Sequence, residues 1–233
     1  SLILVSVDSI VVTSAMSVQL AKWVNAQYDI PRSQIALCST HSHAAPQLST
    51  GLENIFRVPM TEEQRQASQA YTQRLQQAVQ QAVEQAMAAR SPARLSIGTT
   101  QAGFAVNRRV LSQGTWSGFG VQADGPVDHR LRLLLVHSPE NQLLGGTFLY
   151  ANHCTTLDSD FNNVSGDWAG LTAGRLEQRH TGSVFLPVIG CGADANPHPR
   201  GSYELAQQHA AEMVTAIESQ IATGSLPALV SPP

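Results

Sequence analysis

One stretch of this sequence indicates both a fold and a chemistry: Cys38-Ser39-Thr40-His41-Ser42-His43-Ala44-Ala45-Pro46. It directly follows an apolar run, Ile35 to Leu37, which predicts a short buried strand bounded by a turn. Side chains alternate along an extended segment, so we expect both imidazole rings to point to the same side. Two converging imidazoles can form half of a metal site, or one ligand and one proton-transfer group. As a bare pattern, they are equally consistent with two loop histidines that have no chemical role.

A strand-helix-strand unit surrounds this stretch. Residues 2–7 predict a buried strand, residues 14–28 carry a helical apolar stripe, and residues 34–38 form the second strand. A right-handed crossover would make the two strands parallel. Asp8 directly follows the first strand, so it should lie at the same carboxyl edge of the sheet as the two histidines.

The rest of the chain alternates between predicted helices and strands. Helices are expected at 61–90, 165–180 and 202–223, the last stopped by Gly224, and strands at 94–100, 131–137, 143–152 and 183–189. Residues 138–142 join two of the strands as a hairpin, whereas 44–60 and 107–126 are rich in turn residues. This order predicts an α/β fold: a layered, mixed but mostly parallel central sheet with helices packed on it.

Composition excludes several classes of protein. The 233 residues carry 14 basic and 17 acidic side chains, a net charge of -3, which argues against nucleic-acid binding. No apolar run is long enough to span a membrane. The three cysteines are too few for a disulfide framework and are expected to be small buried side chains at strand ends.

Polar groups follow four of the predicted strands: Asp8, the pair His41 and His43, then His153, then Asp194 with Asn196. Four such groups at successive strand ends are typical of a site built at one edge of a sheet. Neutral imidazoles and carboxylates are ligands for zinc, and a catalytic zinc keeps an open position for water.

Four segments, in order, resemble motifs of the neutral/alkaline non-lysosomal ceramidase family. Thr40 to Pro46 looks like its THxHSGP motif, and Asn107-Arg108-Arg109 is similar to its Asn-Arg-Ser segment. His153 to Thr156 resembles its HPT segment, followed in both by Ser-Gly-Asp. Gly192 to Pro197 resembles its Gly-Asp-x-Ser-Pro-Asn loop. The resemblance covers most of the chain and is greatest to the short bacterial relatives of the N-terminal, catalytic domain.

The resemblance implies an amidohydrolase that cleaves the linear amide of an N-acyl sphingosine with one zinc ion, an enzyme of sphingolipid metabolism. It implies that His41 and His153 are zinc ligands and that His43 assists proton transfer. Arg108 would hold the substrate or the oxyanion, and Asp194 would lie in the loop beside the reacting water. Asp8 is a further candidate ligand, although it is equally consistent with a helix cap.

Two departures from the family pattern leave alternatives open. Ala195 and Asn196 stand where the family has its loop serine. The family's other zinc ligands, a glutamate and a tyrosine, have no counterpart within the 233 residues. Either the chain holds half of a site, or Asp8 or another carboxylate completes it. The alternatives are a non-catalytic ceramidase-like binding domain and a metal-dependent phosphoesterase, which needs more carboxylates than the sequence offers.

The chain has no initiator methionine and opens directly in a strand. We therefore expect residues 1–225 to be a ceramidase-like N-terminal α/β domain, a fragment lacking its start and its C-terminal continuation, with 226–233 as a linker or cut edge. The expected partners are a small-molecule or lipid amide substrate, the missing C-terminal part of the same protein and, transiently, a membrane surface. The family resemblance also suggests export from the cytoplasm.

Overall fold

The protein is described by a computed structural model over residues 2–52, 59–223 and 226–228. Its helices are α1 (Ser14–Tyr28), α2 (Glu62–Ala88), α3 (Asp167–Arg179) and α4 (Tyr203–Thr223). Its strands are β1 (Ile3–Val7), β2 (Ile35–Ser39), β3 (Arg94–Gln101), β4 (Ala105–Ser112), β5 (Thr115–Gln122), β6 (Arg130–His137), β7 (Leu143–Tyr150), β8 (Val184–Ile189) and β9 (Ala195–Pro197). Within these ranges, no helix is long and apolar enough to cross a membrane.

The predicted first unit is present: β1 and β2 pair in parallel, with Ile3 opposite Ile35 and Val7 opposite Ser39. The helix between them, α1, begins where the Thr13 side chain accepts a hydrogen bond from the Met16 backbone N–H. A capping box at Thr61 starts α2, as expected. Asp8 and the histidine stretch therefore leave the sheet at the same edge.

The expectation of a mostly parallel sheet is wrong, although the α/β class and the mixed character are correct. β3, β6 and β7 pair antiparallel, as do β5, β4 and β9. Only β1 with β2 and β7 with β8 run parallel. The pairs of β6 with β3 and with β7 make the four-stranded sheet largely antiparallel. The segment expected to be turn-rich adds a further antiparallel hairpin, β4–β5, with register shifts in its pairing.

The predicted single central sheet is instead divided into three hydrogen-bonded sheets. β1 runs beside β8, and the Ser6 hydroxyl donates to the Pro187 carbonyl at 2.6 Å. In a strand, the N–H and C=O of one residue point to the same neighbouring strand. The Pro187 carbonyl faces β1, so an N–H at this position would face β1 as well, but proline has none. The proline therefore interrupts the ladder between the two parallel pairs.

Two apolar cores hold these layers together. The larger core lies between the β3-β6-β7-β8 sheet and the helices α3 and α4, and includes the fully buried Trp168, Tyr150 and Met213. In β6, the buried Leu131, Leu133 and Leu135 alternate with more accessible residues, the period of a sheet with one buried face. The smaller core joins β1 and β2 to α1 and α2.

The remaining expectations are mostly confirmed. The 138–142 hairpin joins β6 and β7, and the Ser202 hydroxyl accepts from the Leu205 N–H at the start of α4. Gly224, expected to stop that helix, lies outside the described residues. Among the cysteines, which are all free, Cys154 is buried as expected, but Cys191 is exposed.

A glycine in the central strand β7 makes the pairing with β8 possible. Gly145 has φ 136°, and a Cβ there would overlap the Val184 carbonyl. We predict that Gly145→Ala lowers the free energy of unfolding by about 2 kcal/mol or more, through backbone strain and this overlap. Thermal or urea unfolding would measure it.

Gly174 in α3 provides the matched control. A Cβ there meets nothing within 4 Å and needs no unusual backbone angle. Gly174→Ala should leave stability unchanged or raise it by up to about 1 kcal/mol, because alanine favours a helix. Equal stability of the two variants would contradict the account of the β7–β8 contact.

Candidate active site

The loops after β2 and β7 are joined by backbone hydrogen bonds, and this junction gathers the histidines. The His43 N–H donates to the Cys154 carbonyl at 3.2 Å. The Ser42 hydroxyl, fully buried, donates to the Ser165 carbonyl at 2.6 Å. The first loop is thereby held against the segment that leads into α3.

Three imidazole rings meet at this junction. The ring centroids of His41 and His43 are 5.0 Å apart, those of His41 and His153 are 5.0 Å apart, and those of His43 and His153 are 6.3 Å apart. His41 has φ 58°, so the segment is not extended there. The expected convergence is present, but it comes from a left-handed residue and not from strand alternation.

Two of the rings are held in one tautomer. His41 Nδ1 lies 2.7 Å from the Ile10 carbonyl, and His153 Nδ1 lies 2.8 and 2.9 Å from the carbonyls of Gly192 and Ala195. A carbonyl oxygen only accepts, so each Nδ1 carries the proton and donates it. In the neutral rings, Nε2 of both residues is left with a free lone pair, the form in which imidazole binds metals.

The third ring, His43, is the most accessible to solvent. Its Nε2 lies 3.3 Å from His41 Nε2, and it can donate a proton there because His41 keeps its own on Nδ1. Although the residue is exposed, surrounding protein atoms desolvate the ring. This desolvation, with the neighbouring histidines and two arginines, lowers the pKa of His43 to about 4. Burial, followed by the charge of Arg108, also lowers the pKa of His153.

Arg108 in β4 reaches the same site, as the sequence predicted. Its Nε donates to the Ala193 carbonyl at 3.0 Å and its Nη1 to Asn196 Oδ1 at 3.4 Å. The guanidinium carbon lies 4.6 Å from the centre of the Phe119 ring. These contacts orient a cation whose charge acts on both His43 and His153.

Asp194 is linked to the site through Arg108 and Asn107. Its backbone carbonyl accepts from the Arg108 N–H at 2.7 Å, and its carboxylate accepts from the Asn107 side chain at 3.4 Å. The loop side chain that bonds to the guanidinium is that of Asn196. Ala195, buried, contributes its carbonyl to His153 instead of a side-chain hydroxyl.

Asp8 is not brought to the imidazoles. Its carboxylate lies against the start of α3, where a Cβ on Gly170 would come within 2.7 Å of Asp8 Oδ2. Burial raises the pKa of this carboxyl, and the adjacent Thr40 side chain works in the opposite direction. Its role as a metal ligand stays a prediction.

The ligand set formed by these residues is partial. Across residues 2–52, 59–223 and 226–228, no group of three or more His, Cys, Asp or Glu side chains has an arrangement that could hold a metal ion alone. His41 and His153 fit two zinc positions by their donor atoms and tautomer. A zinc ion at this position would need further ligands besides these two.

Sequence reasoning missed one cation at this site, Arg200, whose charge also lowers the pKa of His43. It stands after β9 with no motif around it, and only the packing of that loop brings it to the histidines.

Together, the fold and the site define a mixed α/β domain with a histidine cluster at the carboxyl ends of its parallel strands. The family described as neutral/alkaline non-lysosomal ceramidase, N-terminal, matches residues 1–227. The chain therefore belongs to this family.

Solved structures share the fold. The neutral ceramidase from Pseudomonas aeruginosa is 16% identical with a TM-score of 0.78, and the match covers 98% of this chain and 38% of that one. A ceramidase complexed with C2 is 15% identical with a TM-score of 0.80, and the match covers 99% and 37%. This chain thus spans less than two-fifths of either relative. A search of curated protein sequences found no match.

The Asp167 carboxylate stabilises the backbone beside this junction and does not bond to the imidazole rings. Fully buried, it accepts from the Leu157 N–H at 3.1 Å and from the Trp168 N–H at 2.6 Å. The Trp168 indole in turn donates to the His153 carbonyl at 2.9 Å. The aspartate therefore acts at the start of α3.

We predict that Asp167→Ala costs about 2–4 kcal/mol of unfolding free energy, because two buried N–H groups lose their acceptor. Asp167→Asn should cost roughly half as much, since it keeps one acceptor and tolerates the φ of 54° at this position. Urea unfolding of both variants would measure this. Equal losses in the two would contradict the role assigned to the carboxylate.

Proposed function

We propose that this domain takes part in hydrolysing the amide bond of an N-acyl lipid of the ceramide type, using a zinc ion held in part by His41 and His153. The observation that carries the proposal is the pair of Nδ1–H groups tied to backbone carbonyls, with both Nε2 atoms left free on neighbouring rings. Family membership supports the reaction class. The remaining zinc ligands would be the glutamate and tyrosine that the resemblance implies, supplied from outside the described residues.

A zinc ion at such a site supplies Lewis acidity toward the acyl carbonyl and generates a nucleophile from water near neutral pH. The protein's own residues would do the rest. His153 is buried, and its Nδ1–H donates hydrogen bonds to two backbone carbonyls, which fixes the orientation of the ring. His41 is held in the same way by the loop after β1.

His43 would move the proton. It is exposed to solvent, and its Nε2 is within hydrogen-bonding distance of His41 Nε2. A ring in this position can accept a proton from the attacking water and pass it to the leaving amine. Its geometry distinguishes it from His41 and His153, whose Nδ1 atoms are committed to carbonyls.

Arg108 would stabilise the charge that develops on the acyl oxygen. Its Nε and Nη1 are fixed by the Ala193 carbonyl and by Asn196, so the guanidinium is oriented before substrate binds. Asp194 would act through Asn107 and the backbone of Arg108, as a positioning residue beside the site.

The phosphoesterase alternative has less support. It requires a second cluster of carboxylates for a two-metal site. Within the described residues, no group of three or more acidic, histidine or cysteine side chains could hold a metal ion. The non-catalytic alternative remains an outcome of the following tests.

Zinc content tests the proposal first. We predict that this chain binds zinc weakly through the two imidazoles, and that His41→Ala or His153→Ala weakens binding at least about tenfold. Elemental analysis or competition with a zinc indicator would measure it. His137→Ala, in β6 outside the cluster, is the control and should bind like the parent. Zinc binding that none of the variants changes, or no zinc binding at all, would overturn the proposed metal site.

Turnover measurements distinguish the role of His43 from that of the proposed zinc ligands His41 and His153. We expect His43→Gln to lower kcat on an N-acyl sphingosine by about 10²–10⁴-fold while zinc binding is retained, because proton transfer and not metal binding is lost. Steady-state kinetics beside the zinc assay would show it. A variant with the kcat of the parent would remove His43 from the mechanism. Zinc binding without any hydrolysis in the parent would favour the binding-domain alternative.

A further inference from the structure

The histidine cluster carries an excess of positive charge. Burial, together with the charges of Arg109 and Arg200, lowers the pKa of Arg108, and Asp194 is the acidic neighbour that opposes this effect. The Asp194 carboxylate already accepts a hydrogen bond from Asn107. No ion pair in the described part of the chain joins Arg108 or Arg200 to an acidic side chain. A bound zinc ion would add to this charge.

The backbone that carries Arg200 is held at three points. The His198 N–H donates to the Phe104 carbonyl at 2.8 Å, and the Gly201 N–H donates to the Thr156 carbonyl at 2.7 Å. Between them, the His209 Nε2–H donates to the Pro199 carbonyl at 2.7 Å. The exposed arginine therefore extends from a fixed platform and not from a free loop.

A cavity of about 180 Å³ lies beside this platform. Its walls include Phe119, Asn196, His198 and Arg200. Two of these wall residues also touch the other arginine: Phe119 lies under the Arg108 guanidinium, and Asn196 accepts from its Nη1. Arg200 thus borders the cavity directly, whereas Arg108 lies behind two of its wall residues, Phe119 and Asn196. Its size suits a carboxylate or a phosphate group with a short linker.

We propose that this cavity binds an acidic group, a carboxylate or a phosphate, carried by the amide substrate close to its scissile bond, and that Arg200 is the residue that selects for it. Guanidinium groups bind both acids through charge-assisted hydrogen bonds. The identity of the ligand as part of a substrate rests on the proposed amide hydrolysis. The anion site itself does not, so the two can be tested separately.

Binding of small probes tests the anion site without requiring turnover. N-acetylglycine carries the carboxylate, the phosphate ester of N-acetylethanolamine carries the phosphate, and N-acetylethanolamine is the neutral reference. We expect at least one acidic probe to bind this chain at least tenfold more tightly than the neutral one by isothermal titration calorimetry. Arg200→Gln should abolish that difference, and the comparison of the two acids identifies which is preferred.

Arg90→Gln is the matched control, because it removes the same charge from the exposed end of α2. It should keep the parent's preference. Equal binding of acidic and neutral probes, or a preference that survives Arg200→Gln, would overturn the proposal. A preference lost equally in both variants would also overturn it, because it would reflect net charge alone.

Kinetics on matched amides links the site to substrate choice. The acidic N-acyl compound should show a kcat/KM at least tenfold above the neutral one, and Arg200→Gln should remove this advantage mainly through KM. Anion binding without hydrolysis of either amide would refute the proposed function and leave the anion site standing. Binding to vesicles containing anionic lipid, with no affinity for either acidic probe, would assign Arg200 to a membrane surface and overturn the substrate proposal.

Discussion

The site depends on one interaction: the His153 Nδ1–H donates to two backbone carbonyls, those of Gly192 and Ala195, at 2.8 and 2.9 Å. These carbonyls belong to the loop after β8, whereas the histidine follows β7, so the bond ties the ends of two parallel strands together. Gly192 permits the close approach, since a Cβ there would collide with the backbone of Ala151 and Asn152. The same bond determines which ring nitrogen keeps its lone pair. Fold and chemistry are therefore coupled through one tautomer.

The other groups are arranged around this ring by similar means. The His41 Nδ1–H is satisfied by the Ile10 carbonyl, and Arg108 by the carbonyl of Ala193 and the side chain of Asn196. Backbone acceptors are rigid, so each functional side chain is oriented without a large network of other side chains. This explains how a loop with Ala195 in place of the family's serine still supports the cluster: the residue contributes its carbonyl, which any amino acid could supply.

Much of this arrangement could be predicted from the sequence, where the signal is local. The β1-α1-β2 unit followed from the apolar period and the strand order, and it placed Asp8 and the histidines at one edge. The hairpin β4–β5 was missed because Gly114, Gly118 and Gly120 are typical turn residues. The register shifts in the hairpin depend on how its two strands pair, which the local sequence does not show. Arg200 was missed because no local pattern marks it. Its place at the site arises from long-range hydrogen bonds of the residues around it to Phe104, Thr156 and His209.

The tautomers of His41 and His153 are the feature on which the account rests, and nitrogen-15 NMR of the histidine rings reads them directly. Two-bond proton–nitrogen spectra of the metal-free protein should show both rings protonated at Nδ1 and unprotonated at Nε2. Added zinc should then shift the two Nε2 resonances. Rings protonated at Nε2, or Nε2 signals that zinc leaves unchanged, would contradict the assignment of these histidines as a pair of metal ligands.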